Sequence, residues 1–162
     1  MRKVNRAKLC GIAEAAEHLE VADALTAALE AYRKATDWTA AKRLVLPMTL
    51  PGLNDYITAE RSHRQSGAAM KRKWQRDVAL VMRRQLRQPL REPVIMRYTR
   101  VEKDRKRDKD NISSFGRKLI QDALVKDLKA LRNDGWANIN SFSDRFMVDK
   151  SRPRVEIEIL EA

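Results

Sequence analysis

Residues 93–124 read PVIMRYTRVEKDRKRDKDNISSFGRKLIQDAL, and this stretch decides the fold. Pro93 to Val101 is rich in β-branched and aromatic residues, which predicts a strand. The very basic turn Lys103 to Lys109 follows it. A helix is expected next, because apolar residues then recur at helical spacing. They are Ile112, Phe115, Leu119, Ala123 and Leu124.

Two further strands are expected on the C-terminal side of this stretch. Ile139 to Val148 is the first, and Asn133-Asp134-Gly135 supplies the turn chemistry before it. In the second, Pro153 to Leu160, apolar and acidic residues alternate, so one face of this strand is expected to point inward. The two strands are predicted to pair as a hairpin.

A strand and a long basic helix are expected on the N-terminal side. Leu44 to Leu50 predicts a strand around Pro47, closed by the loop Pro51 to Asn54. Glu60 to Gln88 predicts an amphipathic helix, with Ser66-Gly67 as its candidate break. The apolar stripe is Met70, Trp74, Val78, Val81 and Gln85, and the cationic stripe is Arg72, Arg76, Arg83 and Arg87.

Residues 1–43 are expected to form a helical extension to a core of residues 44–162. Leu9 to Ala35 is rich in Ala, Leu and Glu, and its apolar residues have helical spacing, which predicts one long helix or two short ones. The charge of residues 1–43 is nearly balanced, with eight basic and six acidic residues, so a packing or dimerising element is expected here rather than a basic binding surface. The whole chain is therefore predicted to follow the order helix, strand, helix, strand, helix, strand, strand.

The composition favours a polyanionic partner. The chain has 162 residues, enough for one compact domain, and 34 basic against 22 acidic residues give a net charge of +12. No membrane-spanning run and no signal-peptide pattern is visible, so cytoplasmic nucleic acid is favoured over a membrane. One cysteine and two histidines offer no zinc cluster, so any metal is expected on carboxylates.

Two basic segments are the expected DNA-contacting surfaces. Residues 60–88 carry nine basic and two acidic side chains. A run of charge is often only a solvated face, but an imbalance this large favours contact with phosphates. The predicted DNA-binding residues are Lys71, Arg72, Lys73, Arg76 and Arg83 in the helix and Arg105, Lys106 and Arg107 in the turn.

Asp108 and Asp110 form an Asp-x-Asp pair where the predicted strand gives way to the helix. Mg²⁺ prefers oxygen ligands and is commonly held by one or two carboxylates, so this pair with one more acid suffices. The structural alternative is that Asp110 or Asn111 caps the helix while Asp108 pairs with Arg105 or Arg107. The surrounding basic residues favour the metal site, because they attract phosphate to the place where a cation is held.

Three motifs in order resemble the RusA-type crossover junction endodeoxyribonucleases, which are common in phages and prophages. The motifs are Arg-Asp-Lys-Asp-Asn (107–111), a helix that ends in Asp-Ala-Leu (122–124), and Asn-Asp-Gly-Trp (133–136). The Pro-Gly-Leu-Asn loop (51–54) also fits. The resemblance covers about Leu44 to Glu158, so the helical extension departs from the minimal family pattern.

The resemblance implies an α/β (α+β) fold with a mixed β-sheet flanked by helices, a homodimer, and three aspartates beside an essential lysine. The implied ligands of Mg²⁺, for which Mn²⁺ can substitute, are Asp108, Asp110 and Asp134. Counting back from Asp-Ala-Leu gives Lys118 as the lysine, whereas counting forward from Asp110 gives Ser114. Only Lys118 has the required charge, so it is the predicted catalytic lysine.

The implied function is Mg²⁺-dependent resolution of four-way (Holliday) junctions in DNA recombination and repair, by a cytoplasmic protein of bacterial or phage origin. Lys118 would offset the charge that develops during in-line attack on the phosphate, and Asp122 is expected to be structural. Whether one or two metal ions act stays open. Two other functions also stay open: a non-catalytic DNA-binding or architectural protein, and a metal nuclease of another fold that cuts RNA or linear duplex.

Overall fold

The computed structural model describes residues 40–161 and, before them, Thr26 alone. Its elements are β1 (Ala40–Leu46), α1 (Leu53–Ser62), α2 (Arg64–Arg83), β2 (Val94–Glu102), α3 (Lys109–Asp122), a π-helical turn (Ala123–Asp127), β3 (Ile139–Val148) and β4 (Arg154–Glu161). This mixture of strands and helices confirms the α+β class. The helix predicted at Leu9 to Ala35 lies, except for Thr26, outside the described residues. Among those described, no helix has the length and apolar character needed to cross a membrane.

The four strands form one mixed sheet in the order β1-β4-β2-β3. β4 is antiparallel to β1 and to β2, whereas β2 and β3 are parallel. The predicted hairpin of the last two strands is therefore wrong, because β2 lies between them. Their connection instead passes the end of β2, where the Asp149 amide donates to the Glu102 carbonyl at 2.9 Å. Alternation of apolar and polar residues predicts which face of a strand is buried, but not which strands lie beside it in the sheet.

One face of the sheet is buried beneath the helices. The inward residues predicted for β4, Val155, Ile157 and Ile159, are almost inaccessible to solvent. Burial of such apolar surface, at about 25 cal/mol per Å², is the main force that holds helices on a sheet. The other core residues include Leu44 and Leu46 of β1, Met96 and Tyr98 of β2, Val78 and Met82 of α2, and Leu119 and Ile120 of α3.

The long basic segment divides into two helices at His63. This residue has an extended backbone, and its Nδ1 atom accepts a hydrogen bond from the Gln65 amide at 3.2 Å. The break predicted at Ser66-Gly67 is wrong, since both residues lie within α2. Gly67 instead permits close packing of the two helices, because a Cβ there would lie 3.1 Å from the Glu60 Cα.

The connection between β1 and α1 also differs from the prediction. β1 ends at Leu46, before Pro47, and α1 begins at Leu53 within the predicted loop. Proline lacks a backbone donor, which makes it a suitable strand end. The edge of β1 is covered by Gln85, whose side chain accepts from the Val45 amide and donates to the Val45 carbonyl, both at 2.8 Å. These two hydrogen bonds explain why Gln85, a polar residue, belongs to the apolar stripe of the predicted helix.

A buried ion-pair network fixes α3 against the sheet. Arg100 of β2 is fully buried, and its Nε atom lies 3.3 Å from Asp144 of β3. Arg117 of α3 pairs with the same carboxylate. Burial lowers the pKa of Arg100, and the neighbouring Asp144 opposes this change. Gly116 allows the close approach, since a Cβ there would lie 2.8 Å from Arg100 Nη1. Because a buried charge is costly unless paired, this network sets where α3 lies.

Candidate functional site

The Arg107–Asn111 motif lies where the turn after β2 becomes α3. Arg107 donates to Glu102 Oε2 at 3.1 Å and to the Leu50 carbonyl at 2.9 Å, so its side chain ties the turn to two other segments. Asp108 is the N-cap residue of α3, and its carbonyl accepts from the Ile112 amide at 3.0 Å. The backbone of the motif is therefore held in place without help from either motif carboxylate.

The Pro-Gly-Leu-Asn loop packs directly on this motif. Asn111 Oδ1 accepts a hydrogen bond from the Asn54 amide at 2.7 Å. A Cβ at Gly52 would lie 2.6 Å from that same oxygen, so a larger residue there would displace the Asn111 side chain from this hydrogen bond. Behind it, the rings of Tyr56 and Phe115 stack with centroids 4.6 Å apart. Two motifs that are distant in sequence thus position one helix N-terminus.

The carboxylates of Asp108 and Asp110 are exposed at this end of α3. Asp108 makes no side-chain capping bond, and within residues 40–161 neither carboxylate has a hydrogen bond or an ion pair. The alternative in which Asp108 pairs with Arg105 or Arg107 is therefore not observed. Asp108 lines an open cleft of about 520 Å³ together with Arg105 and Lys109. A helix N-terminus stabilises negative charge, so both acids are favourably placed as anions.

Lys118 and Asp134 meet farther along α3. Lys118 lies eight residues after Asp110, which is about 12 Å along a helix axis. Its Nζ atom donates to Asp134 Oδ2 at 2.7 Å. This hydrogen bond raises the pKa of Lys118 and lowers the pKa of Asp134, so both are charged at neutral pH. The rejected alternative, Ser114, instead donates its hydroxyl to the Asp110 carbonyl at 2.9 Å.

The loop that carries Asp134 is anchored to the start of β2. Glu92 accepts from Arg132 Nε at 2.8 Å and from Asn138 Nδ2 at 2.6 Å. Burial would raise the pKa of Glu92, but these hydrogen bonds outweigh it and lower that pKa. The Val94 amide also donates to the Asn138 carbonyl at 2.9 Å. The Asn-Asp-Gly turn is therefore fixed on both sides of Asp134.

Asp122 is a buried acid that contacts three lysines, which we call the lysine cluster: Lys71, Lys118 and Lys126. Lys71 Nζ lies 2.8 Å from Asp122 Oδ2, while Lys118 and Lys126 lie 3.2 Å and 3.1 Å from Oδ1. Burial would raise the pKa of Asp122, but hydrogen bonds from the lysines outweigh it and lower that pKa. The sequence interpretation missed Lys126. The signal was present, because Lys118, Asp122 and Lys126 are spaced by four residues.

The three aspartates implied as metal ligands do not lie together. Asp108 and Asp110 are at the N-terminal end of α3, whereas Asp134 contacts Lys118 farther along the helix. In the part of the chain that the structure describes, no three acidic, histidine or cysteine side chains converge as metal ligands. Asp108 and Asp110 offer the oxygen atoms that Mg²⁺ prefers, so the chemistry of this pair fits the metal. Asp134 is instead held by Lys118. The three-residue ligand set therefore stays a prediction.

The predicted DNA-contacting residues fall into two groups. Five of them direct their side chains to protein groups: Lys71 to Asp122, Lys73 to Asp77, Arg76 to the Arg72 carbonyl, Arg83 to the Asp127 carbonyl, and Arg107 to Glu102 and the Leu50 carbonyl. The other three are exposed side chains on α2 and on the turn before α3. They are Arg72, Arg105 and Lys106.

An exposed aromatic residue adjoins the site: Trp136, the last residue of the Asn-Asp-Gly-Trp motif, to which the sequence analysis gave no role of its own. Trp136 follows Asp134 by two residues and is fully exposed. It lines an open pocket with Asp134 and Phe142, and the Arg117 guanidinium lies 4.3 Å from the centre of the Phe142 ring. The motif marks this position, but a single tryptophan has no periodicity, so the sequence did not predict that its side chain is exposed.

Comparison with protein-family models found no family that matches the chain, and comparison with curated proteins found no match. The resemblance to RusA-type endonucleases therefore rests on the three motifs and stays a prediction. The geometry adds an observation that does not depend on any relative: the motif lysine and the third motif aspartate are in direct contact.

Proposed function

We propose that this protein is a Mg²⁺-dependent endodeoxyribonuclease that cuts branched DNA, with four-way junctions as its substrate, in recombination and repair in the cytoplasm. The observation that carries the proposal is the Lys118–Asp134 contact of 2.7 Å, on the same helix that presents Asp108 and Asp110. The motifs predict the three aspartates, and the spacing from Asp-Ala-Leu predicts Lys118. Asp108, Asp110 and Lys118 belong to α3 or its N-cap and Asp134 contacts Lys118, which supports one function for all four.

The charge of the molecule supports DNA as the partner. The net charge is +12, and α2 presents exposed Arg72 and Arg76 in the same helix as Lys71, which contacts Asp122. The basic helix is therefore physically connected to the helix that carries Lys118. Binding through phosphates is expected to be salt-sensitive and little dependent on sequence.

Asp108 and Asp110 would hold the metal ion, with Asp134 as the proposed third ligand. When bound, Mg²⁺ supplies an activated water and polarises the scissile phosphate. Lys118 is a cation at neutral pH, since the pKa of its ammonium group is raised by Asp134. It therefore serves as a charged hydrogen-bond donor to a phosphate oxygen rather than as a base. Arg107 and Asn111 hold the N-terminal end of α3 in position.

A homodimer is part of the proposal. Resolving a four-way junction requires two symmetric nicks, and a two-fold protein places one site on each of two strands. Light scattering of the full chain tests this step, with deletion of residues 1–40 as a second sample. A monomer at concentrations where both strands are nicked contradicts the symmetric mechanism. A dimer that survives the deletion assigns the interface to the remaining core.

The test of function is incubation with a labelled four-way junction and a linear duplex of the same sequence, each with Mg²⁺ or EDTA. We expect nicks in the junction with Mg²⁺ and none with EDTA. The control Asp77→Asn, which removes an acid from the exposed side of α2, is expected to cut normally. Binding without cleavage in Mg²⁺ and in Mn²⁺ would instead identify a non-catalytic DNA-binding protein. Equal cleavage of the linear duplex would remove the junction preference.

A further inference from the structure

Asp122 has more cationic partners than neutralisation requires. Its side chain is only 3% exposed, yet three ammonium groups from three elements contact it: Lys71 of α2, Lys118 of α3 and Lys126 of the π-helical turn. One lysine would balance one carboxylate. Ammonium groups this close repel one another, so the arrangement is not explained by stabilisation of the fold alone.

The lysine cluster stays accessible from solvent although its aspartate is buried. The lysine side chains are 29%, 47% and 58% exposed for Lys71, Lys118 and Lys126. An ammonium group has three donor hydrogens, and among the described residues Asp122 is the one ionic partner of Lys71 and of Lys126. Donors therefore remain for an anion that approaches from outside.

The cluster carries excess positive charge even when its second acid is counted. Asp134 contacts only Lys118, so three lysines face two carboxylates. Lysine binds phosphate as a point charge, and several lysines around one position match the oxygens of a phosphodiester. A phosphate diester is therefore the anion whose charge and donor requirements fit this surface.

We infer that Asp122 is a positioning residue that gathers Lys71, Lys118 and Lys126 into one binding site for a backbone phosphate of DNA, beside Asp134. The inference rests on the proposed function and deepens it. It assigns Lys126 to DNA contact and gives Lys71 its role through Asp122. It also explains how the basic helix α2 and the proposed catalytic lysine act on one strand.

Asp122→Asn separates this inference from a general electrostatic effect. The substitution raises the net charge by one, so the overall field favours tighter binding of DNA. If Asp122 assembles the cluster, its loss lets the lysines move apart, and binding weakens instead. The matched control is Asp77→Asn, which makes the same charge change but releases only Lys73, its partner at 3.2 Å on α2.

The experiment measures the affinity of the full chain for a fluorescent four-way junction by anisotropy, in EDTA so that no cleavage occurs. We expect Asp77→Asn to bind as tightly as wild type or more tightly, and Asp122→Asn to bind about tenfold more weakly. Asp122→Asn that binds like Asp77→Asn overturns the inference while DNA binding stands. Wild type that binds no DNA overturns the proposed function itself.

A second pair of variants covers the case in which Asp122→Asn does not fold. Lys126→Gln keeps Asp122 and should reduce the slope of log affinity against log salt by about 0.9, the effect of one lost phosphate contact. Arg43→Gln removes one charge from an exposed side chain of β1 and should leave the slope unchanged. Lys126→Arg should restore binding. Equal slopes for Lys126→Gln and Arg43→Gln overturn the inference.

Discussion

The two halves of α3 place their acids in opposite environments. At the N-terminal end, Asp108 and Asp110 are exposed and have no partner among the described residues. In the second half, Lys118 connects the buried Asp122 to Asp134. Carboxylates with cationic partners stabilise a fold, whereas exposed carboxylates without partners contribute little to it. Substitution of Asp108 or Asp110 should therefore change function alone, whereas substitution of Asp122 should change stability as well.

The largest effect is expected from Asp108→Asn or Asp110→Asn. Each variant should lose Mg²⁺-dependent cleavage, because an amide is a weaker ligand of a hard cation. Binding of the junction should persist, since the basic surface is unchanged. The free energy of unfolding should change by less than about 0.5 kcal/mol, as is usual for surface sites. Cleavage, binding and urea unfolding of the same preparations test this, and retained nicking or equal loss of binding would reject the metal-site assignment.

Asp144→Ala should affect both halves of α3 together. It leaves the fully buried Arg100 without its carboxylate, so the free energy of unfolding should fall by about 3 kcal/mol. The control Asp77→Ala removes an exposed pair with Lys73 and should cost less than about 1 kcal/mol. Urea unfolding measures both values. Similar small losses would show that the buried network does not hold the helix.

Acid unfolding should distinguish Asp122 from acids without partners. Its pKa in the folded state is lowered by the lysines, despite burial, from an ordinary value of 3.8. Asp122 therefore contributes stability above that value, and this contribution is lost as the pH falls through the folded-state pKa. We expect the melting temperature of wild type to fall more steeply below about pH 4 than that of Asp122→Asn. If the melting temperatures of wild type and Asp122→Asn fall equally steeply with pH in this range, a stabilising role for this carboxylate is contradicted.

The smallest effect is expected from the exposed face of α2. Replacing Arg72 and Arg76 by Ala should reduce the slope of log affinity against log salt by about 1.8 if each contacts one phosphate. Anisotropy at several salt concentrations measures the slope. An unchanged slope would place the DNA surface away from this face, and contact would then be confined to the lysine cluster and the turn before α3.

Local patterns were sufficient for most elements but not for their arrangement. The periodicity of Ile112, Phe115 and Leu119 predicted α3, and alternation predicted the buried face of β4. The pairing of β3 with β4 was wrong, because strand order depends on contacts between distant segments that alternation does not encode. Gly67 was interpreted as a break, although its role is close packing against Glu60.

The candidate site was predictable where a motif carried it. Lys118 and Asp134 were chosen from motif spacing, and the fold brings them together. The links to the rest of the molecule were not predictable, since the contact of Lys71 with Asp122 joins α2 to α3. A buried acid with partners on several elements leaves only part of its pattern in the local sequence. For Asp122, the local sequence shows only the four-residue spacing to Lys118 and Lys126.

The most direct test is where a divalent metal binds on α3. Mn²⁺ is paramagnetic and broadens the NMR signals of nuclei close to it. At substoichiometric Mn²⁺, we expect broadening of the backbone amide signals of residues 108–112 in wild type and in Asp77→Asn, and its loss in Asp110→Asn. Broadening centred elsewhere in the chain, or unchanged in Asp110→Asn, would contradict the proposal that Asp108 and Asp110 hold the catalytic metal.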